Sequence, residues 1–318
     1  MKEDLVSVVI PAYNTGKYIA NIIEAVKSQT YENLEIVIVD DGSKDNTVEI
    51  AGRLLKDYDK PWQIIKSKNG GVSSARNIGI KVSKGDWVIC PDSDDYIDPQ
   101  MIETLYKAAV QNDAQCAFCE YKSSTIEFIT SRTLYNKGIS VFGRDEIKQI
   151  YLSRSIIWVI PATLIHRSII ENIEYDVDCP YSEDTLYTWE LIYQIEKIAF
   201  VAADMYNYFQ RENSKQHSLI PSKCLKAIEQ YQKMVYRLLV NNQGDKKFIN
   251  NIVPKFILGA FHVLARCTTY DVFKGTRRQI EINRVYPLLF INKNTKLFIY
   301  AFSFVFTPYV FYRVSKLN

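Results

Sequence analysis

Val88-Ile89-Cys90-Pro91-Asp92-Ser93-Asp94-Asp95 ends an apolar run in closely spaced acids. Carboxylates two residues apart can hold a hard cation such as Mn2+ or Mg2+ that also touches phosphate, and without one they repel each other. A second acidic turn, Asp40-Asp41-Gly42-Ser43, follows Ile38-Val39. Asp41 there can accept a hydrogen bond from a base N–H or a ribose hydroxyl, although a helix-capping loop uses the same residue types. A third run closes in Pro11-Ala12-Tyr13-Asn14. Tyr13 can lie flat on a base while the backbone of Pro11, Ala12 and Asn14 meets its edge; the same residues also make an ordinary turn. Between these runs, Asn69-Gly70-Gly71 leads into Val72-Ser73-Ser74-Ala75-Arg76-Asn77. The glycines suit a tight turn into a helix, and Arg76 falls one turn in, where it can approach an anion or lie solvated.

These residues need a scaffold that brings strand ends together, and the sequence supplies the pattern of one. Apolar runs alternate with helical periodicity: strands over Val6–Ile10, Leu34–Val39, Ile64–Ile65 and Trp87–Cys90, and helices over Lys17–Gln29, Thr47–Asp57 and Val72–Val82. Asp98-Pro99 reads as the start of a further helix, with Asp98 as its cap and proline in first position. Such alternation predicts an α/β fold with a doubly wound, mostly parallel sheet, whose ligands bind beyond the carboxyl ends of the strands. The alternation fades after Arg144, and two amphipathic helices are expected at Leu225–Leu239 and Phe248–Ala265. The expected organisation is a catalytic domain over 1–215, a helical region over 216–290 and an aromatic segment over 291–318.

Composition sets outer limits. The chain has 318 residues, 47% hydrophobic and 24% charged, which suits a packed globular protein. A net charge of +3 gives no global basic field, so nucleic acid is not the expected partner. The six cysteines are scattered and no secretory signal precedes the first strand, so a reducing cytoplasm is expected. Cys116 and Cys119 have metal-pair spacing but lie in an apolar run and read as core. Trp158, Trp189, His166 and His262 read as packing residues. From Leu297 to Tyr312 the chain is dominated by aromatic and aliphatic residues, interrupted at Thr307-Pro308 and flanked by Lys296, Arg313 and Lys316. That is short for a membrane span of about 20 residues. It reads as a shallow membrane contact with basic flanks that include Arg277 and Arg278, or as a terminal helix folded onto the domain.

Together these stretches resemble glycosyltransferase family 2, of the GT-A fold, over about residues 5 to 215. The resemblance rests on Val6 to Asn14, Asp40 to Ser43, the helix entry from Asn69 to Gly79, and Asp92-Ser93-Asp94-Asp95. It implies that Asp41 reads the base, that Tyr13 and Arg76 border it, and that Asp92, Ser93 and Asp94 form the metal and diphosphate motif. Tyr181-Ser182-Glu183-Asp184 is similar to the family's acidic pair at a helix start, which in inverting members supplies the base. A carboxylate at a helix N-terminus is held anionic, as a base must be, so Asp184 is expected in that role with Glu183 beside it. A cap on Ser182 with ordinary first-turn acids is the plainer alternative. The Tyr206-Asn207-Tyr208 to Ser214 stretch also looks like the family, but Gln210 stands where an arginine is common, and Arg211 follows. His217 is a candidate for the metal shell or a solvated loop residue.

The expected activity is inverting, metal-dependent transfer of a hexosyl or N-acetylhexosaminyl group from a UDP-sugar. The expected acceptor is a hydroxyl of a glycan or lipid-linked molecule, met at the inner face of the cell membrane during polysaccharide assembly. The competing readings are a silent nucleotide-sugar-binding scaffold subunit and a nucleotidyltransferase.

Overall fold

The computed structural model describes residues 4–124, 138–153, 156, 158–179, 183–209, 221–227, 229–230, 258–262, 264–266, 268–279, 304 and 308–317. Among them the chain forms two compact units: Met1–Val177 with Tyr187–Arg211, and Asp178–Leu186 with Glu212–Asn318. His217, most of the two helices expected between 225 and 265, and much of the C-terminal aromatic segment lie outside the described residues.

The first unit is built on one nine-stranded mixed sheet. Strands β1 (Val6–Ala12) and β2 (Leu34–Asp40) are buried throughout, as expected of parallel strands covered on both faces. With β3 (Trp62–Lys66) and β4 (Trp87–Ile89) they form a parallel half in the order β3-β2-β1-β4. Helices α1 (Ile19–Lys27), α2 (Thr47–Leu55) and α3 (Val72–Val82) are its crossovers. The far half is β5 (Tyr96–Ile97), β6 (Cys116–Ser124), β7 (Ile139–Gly143), β8 (Thr163–His166) and β9 (Lys197–Phe209). There β4–β8, β8–β6, β5–β9 and β7–β9 are antiparallel, and β6–β9 is parallel.

Register decides what the sheet can present. Ala12 pairs with Asp40, Asp40 with Lys66, and Val8 with Ile89, so the loops after β1, β2, β3 and β4 leave by one carboxyl edge. Gly79 lets α3 lie against that sheet: a Cβ there would collide with Val9 Cγ1 and sit 3.1 Å from Val39 Cγ2.

One helix starts later than its sequence suggests. Helix α4 spans Met101–Gln111, because the Asp98 side chain accepts the Gln100 N–H at 2.9 Å and its carbonyl accepts the Met101 N–H. Asp98 thus makes a local turn before the helix instead of capping it. Cys116, Cys119, Trp158 and Trp189 are core residues, and Trp158 Nε1 donates to Thr163 Oγ1 at 2.8 Å. His166 caps the single turn α6 (Arg167–Ile170) and packs its ring edge-on to Trp87. Helix α5 covers Arg144–Ser153, and α7 covers Glu183–Gln194.

The second unit contains α8 (Tyr270–Gln279) and α9 (Pro308–Leu317). Phe311 of α9 and Phe304 are buried against Phe273 of α8, and Phe261 joins them. The described aromatic side chains of the C-terminal segment therefore include a packed cluster. Arg277, expected as a membrane-facing flank, lies over the Phe304 ring at 5.6 Å. No described helix is long and apolar enough to cross a membrane.

Candidate nucleotide-sugar site

The first two loops at the carboxyl edge are tied together. Asn14 adopts φ +51°; its N–H donates to Ser43 Oγ at 2.9 Å, and its side-chain oxygen accepts the Lys44 N–H at 2.8 Å. Pro11 and Ala12 are buried at the strand end, while Tyr13 is half-buried beside them. Gly42 takes φ +80°, the sharp turn that a side chain would resist. Asp41 is only 3% exposed. Its two oxygens accept the Gly70 and Gly71 amides at 2.8 Å each, and Ser67 Oγ donates to one of them at 3.3 Å. Asp41 therefore fixes the glycine turn that opens α3, a bond pattern that adjacency in sequence does not reveal.

The Asp92 loop is anchored from two sides. Arg76, 3% exposed on α3, donates to Asp92 Oδ1 at 2.7 Å. From the other side, the Asp92 N–H donates to the Tyr206 hydroxyl at 3.2 Å, and that hydroxyl donates to Asp95. Asp95 also accepts the Phe209 N–H at 2.8 Å. Burial, with Asp92 and Asp94 alongside, pushes the Asp95 carboxyl well above its usual range. Burial likewise raises the Cys90 thiol to about 12, so it is an inert neighbour. Ser93 is buried within the turn, whereas Asp92 and Asp94 are half-buried.

That division of labour bears on a divalent ion. Asp95 is taken up by Tyr206 and Phe209, while Asp92, paired with Arg76, and Asp94 carry the half-buried carboxylates of the turn. Among the described residues no group of three or more His, Cys, Asp or Glu gathers into a complete metal cage. Two carboxylates fit an ion whose other ligands are diphosphate oxygens and water, the habit of Mg2+-like cations.

Glu183 and Asp184 occupy the first turn of α7, and the Asp184 carboxylate accepts the Thr185 N–H at 2.8 Å. Sequence reasoning gave no role to Tyr175, which the structure sets against Arg76, with its ring centroid 5.1 Å from the guanidinium carbon. Asn77 holds Tyr175 by two 2.8 Å bonds to its backbone. The two residues stand 98 apart in sequence, so no local signal links them.

The central mixed sheet with its covering helices is the GT-A fold, shared with solved glycosyltransferases. Residues 7–173, more than half of the chain, match the profile of glycosyl transferase family 2, and the chain belongs to that family. Glycosyltransferase GlyG of Streptococcus pneumoniae is 30% identical over 220 residues, which take in 66% of this chain and 72% of that protein. Several other curated relatives are longer, and the chain spans less than two thirds of them. Residues 1–349 of Staphylococcus aureus TarS, solved with UDP-GlcNAc, superpose with a TM-score of 0.69 at 16% identity, over 98% of this chain and 90% of that one. The mannosyltransferase PcManGT of Pyrobaculum calidifontis, solved with GDP-Man and Mn2+, gives 0.54 at 12% identity, over 100% and 88%. At such identities the two structures share the fold with this chain.

Proposed function

We propose that this glycosyltransferase moves a sugar from a UDP-linked donor to a hydroxyl of a glycan or lipid-linked acceptor, with inversion at the anomeric carbon. The observation that carries the reading is the Asp92-Ser93-Asp94 turn at the carboxyl end of β4, clamped by Arg76. The UDP-GlcNAc held by TarS supports a UDP donor and an N-acetylhexosamine among its sugars. The Mn2+ of PcManGT supports a divalent ion on Asp92 and Asp94.

In this mechanism Tyr13 and Asp41 face the base, with Pro11, Ala12 and Asn14 shaping its edge. Asp92 and Asp94 hold the ion and Arg76 keeps Asp92 in register. A bound ion supplies neutralisation of the charge that builds on the leaving diphosphate. Asp184, in the first turn of α7, takes the acceptor hydroxyl proton as the new C–O bond forms. The old C–O bond breaks with its electron pair leaving on UDP, and one displacement inverts the centre. Glu183 supports Asp184.

The test is UDP release from a panel of UDP-sugars with Mn2+ and an acceptor mixture. Asp184→Asn should lower kcat roughly 10²–10⁴-fold with donor binding retained. Asp94→Ala should lose most metal-dependent turnover, by roughly 10²-fold or more. Wild-type rates in both variants would remove the assigned roles, and pyrophosphate release from a nucleoside triphosphate would favour nucleotidyl transfer instead.

The reaction is proposed to run in the cytoplasm at the inner face of the membrane, serving polysaccharide assembly. Exposed Tyr309, Arg313 and Val314 on α9, with exposed Arg278 on α8, support a peripheral lipid contact. Flotation with anionic vesicles, lost on Arg278→Glu with Arg313→Glu, is the expected outcome; no flotation of the wild type would end this part of the reading.

A further inference from the structure

The buried guanidinium of Arg76 rests on more than Asp92. Tyr175, 2% exposed, lies with its ring against that guanidinium, and Tyr187 of α7 stacks on the same ring at 3.9 Å with an interplanar angle of 6°. Tyr187 is 1% exposed, and its buried hydroxyl makes no hydrogen bond. A buried hydroxyl left without a partner is a cost to the fold, so its ring, not its oxygen, is what the site uses. Asn77, next to Arg76 on α3, fixes the Tyr175 backbone by accepting its N–H and donating to its carbonyl. The result is a continuous column, Asp92–Arg76–Tyr175–Tyr187, that joins the Asp-x-Asp turn to α7 through two aromatic faces.

We infer that Tyr175 and Tyr187 are positioning residues for the metal and diphosphate motif. A flexible arginine side chain has many rotamers, and an ion pair alone tethers only its tip. A ring face beside the guanidinium plane stabilises the one orientation in which it meets Asp92 Oδ1. Asp92 then keeps a fixed direction for an incoming cation and diphosphate, so the affinity of the site depends on aromatic rings that touch neither. This inference rests on the function proposed above, because it deepens the role of Asp92.

The experiment is calorimetric titration of UDP with Mn2+ into the full chain, alongside thermal melts. The wild type is expected to bind; absence of binding there would defeat the proposed function itself. Given wild-type binding, Tyr175→Leu is expected to weaken the affinity of the folded protein about tenfold, the scale of a desolvated cation–π contact. Tyr175→Phe restores the ring and is expected to restore wild-type affinity. Tyr187→Phe is expected to bind as wild type with an equal or higher melting temperature, whereas Tyr187→Leu follows Tyr175→Leu. If Tyr175→Leu and Tyr187→Leu lower the melting temperature but bind UDP and Mn2+ like the wild type, the rings are mere packing and the inference is overturned. Should those variants fail to fold, Asn77→Ala, which frees the Tyr175 backbone and keeps its ring, decides. A severalfold loss of affinity supports the column, and unchanged affinity refutes it.

Discussion

A guanidinium that is 3% exposed cannot recover water when its partner is removed, whereas a carboxylate whose side chain is 28% exposed can. The Arg76–Asp92 pair is therefore asymmetric. Asp92→Ala removes the carboxylate that faces a buried charge and should cost up to about 3–5 kcal/mol in urea unfolding, reduced by what the other contacts of Arg76 and relaxation return. Arg76→Met replaces that charge with a flexible apolar chain and should cost clearly less, while still abolishing tight UDP binding. Equal losses of stability in the two variants would show that solvent reaches Arg76. A second residue-scale prediction concerns pH. Burial first, then Arg266, hold His262 below its ordinary 6.5. The unfolded chain then binds more protons than the folded one as pH falls through that value, so stability drops with acidification. The fall in melting temperature between about pH 7.5 and about pH 5.5 should be smaller in His262→Gln than in the wild type.

At the scale of elements, α3 converts strand ends into a site, and Gly79 decides how closely it packs. Gly79→Ala should cost about 1–3 kcal/mol by overpacking against Val9. Because Arg76 lies one turn earlier on the same helix, the variant should also lose UDP affinity out of proportion to its stability. A destabilised variant with unchanged affinity would separate α3 packing from the site. The helix itself was readable to the residue, since a glycine pair marks its start and its apolar periodicity its length. The four parallel strands were readable too, as uninterrupted apolar runs between helical patterns. Helix α4 was misread because Asp98-Pro99 carries a start signal that a local turn also uses. The candidate residues Asp92, Asp94 and Arg76 were visible as types at strand and helix ends, but their pairing was not. Arg76 meets Asp92 across 16 residues, Tyr206 meets Asp95 across 111, and Asn77 meets Tyr175 across 98. Contacts of that range are set by sheet order, which no local pattern encodes. Asp95 shows the consequence: its carboxylate belongs to the same acidic run as its neighbours, yet β9 claims it for structure.

For the molecule as a whole, the C-terminal aromatics pose the question that composition leaves open, because a lipid interface and a helix partner select the same side chains. In the second unit, Phe311 packs at 5.9 Å from Phe273 and 5.3 Å from Phe304, and Tyr312 donates to the Thr268 carbonyl at 2.9 Å. Tyr309, on the same helix, is 53% exposed. Core and surface positions on one helix separate the two roles. Phe311→Ala opens a cavity and should lower unfolding free energy by about 3–5 kcal/mol in lipid-free buffer. Tyr309→Ser gives up only an edge contact with Tyr270 at 5.0 Å and should cost no more than about 1.5 kcal/mol, while reducing flotation with anionic vesicles. A segment that served only as a membrane foot would give the opposite pattern for Phe311. Its truncation would leave stability in buffer untouched and weaken vesicle binding alone, because an aromatic ring waiting for lipid has no packing to lose.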